Sequence, residues 1–221
     1  VRIALLSTGL LLAACAGGSI APEWQTQSHA SLERFRQQYL EGNSRPAERS
    51  FAEAKAAVAS TGRPELAARA ELVRCALGTA ALDVDACLGF ESIKSDATTE
   101  DQAYGDFVSG QLRERDARGL PSPYRSVATA RDEAARNKAM QQIEDPVSRL
   151  VAAGVLFRLA QLSPEGLTTA IDTASAQGYR RPLLAYLNVQ ARRAETTGDT
   201  AALQSIQKRI DLVYQSLPKT K

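Results

Sequence analysis

The sequence predicts an all-α protein, an irregular helical-repeat bundle of about nine to ten helices. Three observations predict it. Alanine is abundant, β-branched runs are scarce, and glycine and proline stand mostly where elements would begin or end, a composition that favours helix throughout. Apolar residues recur at three- and four-residue intervals over most of the chain. The prolines also keep a period: Pro46 and Pro64 are 18 residues apart, as are Pro146 and Pro164, and Pro164 and Pro182, with Thr200 another 18 on. Proline is favoured at the first helical position, where its missing N–H has no intrahelical partner. A regular spacing of helix starts therefore means helix-plus-turn units of constant length, about 36 residues per hairpin.

The first element is not part of this array. Arg2 precedes an apolar run from Ile3 to Ala14, too short to span a bilayer, which takes about 20 apolar residues, and of the length of a signal-peptide core. Leu12-Ala13-Ala14-Cys15 then resembles the lipobox of bacterial lipoproteins, with Leu and two small residues directly before the cysteine. The resemblance implies a signal peptide over residues 1–14, a thioether-linked diacylglycerol on Cys15, cleavage before that cysteine and acylation, with palmitate or a similar chain, of the amine so freed. Three acyl chains exceed the two-signal threshold for stable anchoring. In Gram-negative lipoproteins of this type an Asp after the cysteine marks inner-membrane retention; Ala16 stands there instead, which implies the outer membrane. Residues 15–27 read as the lipidated cysteine and a flexible tether of up to roughly 40 Å, in which Trp24 packs on the domain or rests at the lipid interface.

Residues 28–221 read as one helical domain. Leu32, Phe35 and Tyr39 mark a helix at about 28–41, and Phe51, Ala54 and Val58 a second at about 46–60. Leu66, Ala70, Val73 and Leu77 form a stripe at about 64–81, and Tyr104, Val108 and Leu112 one at about 98–116. The stretch at about 122–143 is helical but charge-rich, without a clear stripe; with 82–97 it interrupts the period. The segment 145–162 is apolar all round from Leu150 to Phe157 and so should be the most buried. Leu167, Ile171 and Ala174 follow, then Leu183, Leu187, Ala191 and Ala194 at about 182–197, then Leu203, Ile206, Ile210, Val213 and Leu217. Asp145, Ser163 and Asp199 suit N-caps, and Gly42, Gly62, Gly178 and Gly198 suit left-handed C-caps. The last hairpin, LLAYLNVQARRAETTGDTAALQSIQKRIDLVYQSLP, resembles a tetratricopeptide unit, with its Gly-Asp turn and closing Pro218; residues 32–58 resemble one more loosely. The likeness covers about half the chain and implies an architecture, not an activity.

Composition narrows function by exclusion. The net charge is +2, from 27 Lys plus Arg against 25 Asp plus Glu, and loss of Arg2 leaves 26 against 25. No global field then attracts nucleic acid, and aromatics at 5% leave few stacking platforms. His29 is the sole histidine, so no His-based triad, Cys–His dyad or His-containing zinc site is expected; no phosphate-binding or dinucleotide glycine motif occurs. Asp83 and Asp85 lack the glycine turn and closing Glu of a calcium loop. No catalytic residue, metal or cofactor is expected. With Cys15 acylated, Cys75 and Cys87 form an even pair that an oxidising compartment would join, the alternative being two buried free thiols.

One surface invites a binding role. Arg181, Asn188 and Arg192 share a face of the helix at about 182–197, flanked by Arg180 and Arg193, and read as an anion- or partner-binding patch, with a solvated face as the alternative. The expectation is an outer-membrane lipoprotein facing the periplasm, a non-enzymatic adaptor for other envelope proteins. Its rival is a ligand-binding or cell-wall-acting hydrolase with a carboxylate-lined cleft in residues 82–143.

Overall fold

The computed structural model describes residues 21–111 and 114–217. Cys15 and the Leu12–Cys15 motif lie outside the described residues, as does the position of Leu112. The chain is all-α, with no strand among the described residues. Its elements are α1 (Glu23–Leu40), α2 (Ser44–Ala59), α3 (Pro64–Ala80), the single turn α4 (Leu88–Glu91), α5 (Thr99–Val108), α6 (Ser122–Thr129), α7 (Glu133–Gln141), α8 (Pro146–Arg158), α9 (Pro164–Gln177), α10 (Arg180–Thr197) and α11 (Thr200–Gln215). Short 3-10 turns run over Lys94–Asp96 and Glu114–Gly119. No described helix is long and apolar enough to cross a membrane.

Local end chemistry explains where most elements start. Pro64, Pro146 and Pro164 open α3, α8 and α9 as the first helical residue. The side chains of Asp145, Ser163 and Asp199 accept from Ser148, Gly166 and Ala202 backbone N–H groups. The four glycines at 42, 62, 178 and 198 all take positive φ, as a left-handed helix exit requires. The 18-residue period slips by two at α2 and α10, which begin at Ser44 and Arg180, so that Pro46 and Pro182 become third helical residues.

Three segments differ from the sequence reading. Helix α1 starts at Glu23, so residues 23–27 of the expected tether are helical and Trp24 is half-buried; Pro22 leads in with extended backbone and Glu23 suits the positive helix end. The helix expected at 98–116 stops at Val108, where Gly110 turns the chain at φ +73°. The stretch 122–143 is two helices, because Asp132 caps α7 by accepting from Ala135 N–H at 2.8 Å and Ala130 takes extended backbone before it. These breaks, with α4, bring the count to eleven α-helices among the described residues.

The centre of the fold is the crossing of α3 and α8. Every residue of α8 from Leu150 to Leu156 is buried, as its sequence predicts. Helix α3 is buried more widely than its single stripe suggests: Leu66 and Val73 are half-buried, while Leu72 and every residue from Cys75 to Ala80 are inside. Two apolar clusters explain this. The larger joins α3, α5 to α10 and α11; the smaller sets Phe35, Tyr39, Leu40, Ala47 and Phe51 against Leu77 and Ala81. At the crossing itself Gly154 faces the Thr79 carbonyl so closely that a Cβ there would overlap the oxygen and stand 2.7 Å from the carbonyl carbon. Thr79 Oγ1 donates to Val108 O at 3.1 Å, and Tyr186 O–H donates to Leu150 O at 3.1 Å, tying α5 and α10 to the same centre.

Cys75 and Cys87 are joined, with S–S 1.95 Å and Cα–Cα 4.3 Å, both side chains buried. The bridge pins the 82–97 excursion to α3, the side on which the repeat pattern lapses.

Two outcomes follow from this packing. Alanine in place of a mid-helix glycine normally gains up to about 1 kcal/mol. At Gly154 the obstruction is backbone that no rotamer change can clear, so overpacking should win: Gly154→Ala should lose roughly 2 kcal/mol in a urea titration at unchanged slope. Reduction of the disulfide, which spans a sequence separation of 12, should lower stability by about 3 kcal/mol and leave the far-UV helical signal intact; two freely alkylated thiols in the denatured, unreduced protein would overturn the pairing.

Candidate functional site

The arginines predicted to share a binding face have different employments. Arg180 Nε donates to Glu41 O at 2.8 Å, and Arg181 donates through Nε to Tyr39 O at 2.7 Å and through Nη2 to Ser44 Oγ at 2.8 Å. The Arg181 guanidinium also lies 4.2 Å from the centre of the Tyr39 ring. These two are ties between the start of α10 and the α1–α2 turn, not a free patch. They satisfy the carbonyls that α1 leaves open at its C-terminus. Arg193 Nη2 donates to Leu162 O at 2.7 Å, holding the α8–α9 turn. Asn188 donates to Leu184 O on its own helix. Arg192 alone of the five stands exposed with no side-chain bond to the described residues.

Around Arg192 opens a largely apolar groove of about 630 Å³ between α9, α10 and α11. Leu167 from α9, Val189 and Ala194 from α10 and Ile206 from α11 form its walls. The groove exists because α11 packs mainly on α10, burying only Ile206 and Ile210 fully and leaving Leu212 and Tyr214 exposed. Two of the residues that line it each keep a polar atom without a partner among the described residues. Gln190 Oε1 and Arg193 Nη1 are both shielded from solvent without a hydrogen bond. They are three residues apart and so share one face of α10.

A second, charged groove of about 810 Å³ runs between α2, α3 and the turn after α3. Four of its charges are matched as two ion pairs within the protein. Lys55 Nζ lies 2.5 Å from the buried Glu71, and Arg74 grips Glu48 with two bonds of 3.2 and 2.7 Å while stacking 3.9 Å from the Phe51 ring centre. Burial pushes the Tyr39 phenol up to about 12; Asp83 acts in the same direction, and Arg181 and Arg74 oppose it. Asp83 Oδ1 accepts from Asp85 N–H, and Arg158 binds the Asp83 and Val84 carbonyls, so this acidic pair shapes a turn. His29 is exposed on α1.

The stretch 82–143, where a carboxylate-lined cleft is expected, borders two pockets of opposite polarity. A pocket of about 480 Å³ lies between α5, α6, α7 and the end of α8, and its charged lining is Arg131 and Arg136, with no carboxylate. A second pocket, of about 350 Å³, lies between α5 and the 3-10 turn over Glu114–Gly119 and is lined by Glu100, Asp106 and Asp116, of which Asp106 pairs with Lys94. No carboxylate lines the pocket that holds Arg131 and Arg136, so a two-carboxylate hydrolytic centre is not assembled in that one.

No protein-family profile, curated protein or solved structure matches the chain. The groove rests on residues that sequence reading passed over, Gln190 above all. Their signal was the three-residue spacing of Gln190 and Arg193 beside the apolar Val189 and Ala194, a mixed face on a helix read only for its arginines.

The division of labour among the arginines is measurable. Arg181→Ser should cost about 1.5–3 kcal/mol of unfolding free energy, since it leaves backbone acceptors without a charged donor. Arg192→Ser should stay within about 0.5 kcal/mol of the wild type. Equal melts for the two variants would return Arg181 to a solvated face.

Proposed function

We propose that this chain is an envelope lipoprotein, cleaved before Cys15 and anchored in the outer membrane, whose periplasmic helical domain acts as an adaptor by holding an extended segment of a partner protein in the α9–α11 groove. The observation that carries the reading is a largely apolar groove whose lining residues Gln190 and Arg193 each keep a polar atom unmatched, which a small side-chain rotation would turn to a ligand. Gln190 Oε1 seeks an N–H and Arg193 Nη1 seeks a carbonyl oxygen. A peptide group offers both at once, with apolar side chains to lie against Leu167 and Ile206. Arg192 at the rim favours an acidic residue in the same segment. A paired Cys75 and Cys87 suits an oxidising compartment, which supports the envelope as its place. The lipid anchor rests on the Leu12–Cys15 motif.

The test is site-specific photo-crosslinking in intact cells. A photoreactive residue at Thr197, in the groove, should capture a defined partner band, and one at Lys208, outside its lining, should not. Gln190→Leu combined with Arg192→Glu should reduce that band tenfold or more at unchanged melting temperature, given about 1.5–3 kcal/mol for hydrogen bonds with charged groups. Cys15→Ser should release the protein from the membrane fraction or leave its precursor uncut. Capture that is the same at both positions, or indifferent to the double substitution, refutes the groove; a membrane fraction indifferent to Cys15 refutes the anchor.

A further inference from the structure

The pocket between α5, α6, α7 and α8 is separate from the α9–α11 groove and has a different chemistry. Its floor is Phe107, Val127, Val155 and Leu156, all nearly inaccessible to solvent. Its charged wall is Arg136, on the inner side of α7, with Arg131 exposed at the mouth. Arg136 is anomalous in this protein. Elsewhere, arginines that turn inward find a carboxylate or a carbonyl: Arg74 takes Glu48, Arg149 takes Ile143 O, Arg158 takes Asp83 O and Arg193 takes Leu162 O. Among the described residues Arg136 is the one partly buried arginine whose side chain makes no hydrogen bond or ion pair, and its Nε is wholly shielded from solvent. A shielded guanidinium donor is costly to leave unmatched, and Nη1 and Nη2, which are not so shielded and have no partner among the described residues, are the donors a ligand would meet.

We infer that this pocket binds a small organic carboxylate, its head forked by Arg136 and its hydrocarbon body laid on the Phe107–Leu156 floor. Three features select that class. The guanidinium fork matches the planar geometry of a carboxylate with two parallel N–H donors. Arg136 is the cation on the inner wall and Arg131 stands exposed at the mouth, where solvent screens it, so a single carboxylate head is the charge that the inner wall matches. The volume, about 480 Å³, falls within the range of roughly 300–1,000 Å³ that small-molecule sites occupy, and the buried floor offers hydrocarbon contact, the uncharged polar side chains Thr129 and Gln161 being exposed. The ligand is thus an acyl acid or an N-acylated amino acid. The gap in the helix at Ala130–Arg131 is part of the site: the break between α6 and α7 lets both arginines border one cavity.

Titration calorimetry on the full chain tests this with two carboxylate probes, octanoate and N-acetylleucine, and with octanol and octylamine as matched controls. Saturable binding of at least one carboxylate is expected, weakened tenfold or more in Arg136→Gln, with octanol and octylamine at or below that residual affinity. Octanoate alone would mark an acyl acid as the ligand, and N-acetylleucine an acylated amino acid. A second variant, Ala128→Phe, fills the pocket and leaves Arg136 in place; it too should abolish binding, which keeps the test decisive if Arg136→Gln folds poorly. Failure of both carboxylates to bind, octanol binding as tightly as octanoate, or binding indifferent to Ala128→Phe would overturn the assignment. Crosslinking from the α9–α11 groove should be unaffected by either variant, so the two proposals fail separately.

Discussion

At the middle of the molecule a peptide carbonyl rests on a bare α-carbon. Thr79 of α3 presents its oxygen to Gly154 of α8 with no room for a methyl group between them. Gly78, the residue before Thr79, faces Ala86 in the turn after α3 instead, so the seam between α3 and α8 is set at the Thr79–Gly154 contact. Everything else is placed relative to that seam. The Thr79 hydroxyl reaches past it to Val108 and fixes α5. Tyr186 reaches Leu150 from the other side and fixes α10. A wider seam would lose both bonds and open a gap lined by carbon, which interiors of native density do not contain.

The two candidate sites are consequences of where this packing stops. Helix α11 finds α10 but no further layer, and a groove remains along its flank. The chain between α6 and α7 leaves its helical path at Ala130, and a recess remains beside the end of α8. In both places polar groups are enclosed without being matched inside the protein. Elsewhere the same residue types are closely paired, as the Arg74–Glu48 and Lys55–Glu71 contacts of the charged groove show. The contrast is one of degree, since Arg74 and Arg158 also keep a shielded Nε without a partner; what sets Arg136 apart is that none of its side-chain nitrogens is matched among the described residues.

Much of the architecture was legible in the sequence because it is written in local chemistry. Prolines at first helical positions, aspartate and serine caps, and glycines at helix exits each act within a few residues, and Pro64, Pro146, Pro164, Asp145, Ser163 and Asp199 all do what their types prefer. What was not legible depends on distance along the chain. The division of 122–143 turns on Asp132, one acid among many charges, whose capping role shows only once α7 has a partner face. Arg180 and Arg181 share a helix with Arg192, and nothing local distinguishes them; their partners lie 139 and 142 residues away. The likeness to a repeat array also concealed how the array ends, because a period describes how units follow one another and is silent on whether the first meets the last.

They do meet, and that alters how the molecule must come apart. In an open stack of helical hairpins each unit touches only its neighbours, so terminal units fray first and the array melts in steps. Here the turn between the first two helices is gripped by the start of the tenth, and Gly42 lies against Leu217 at the far end of the eleventh. Neither end is free to peel. Closing so long a chain segment carries an entropic cost that grows only slowly with its length, and contacts of such wide separation form late. The protein should therefore behave under load like a clasped ring rather than a zipper: indifferent to tugging until one clasp yields, then lost as a whole.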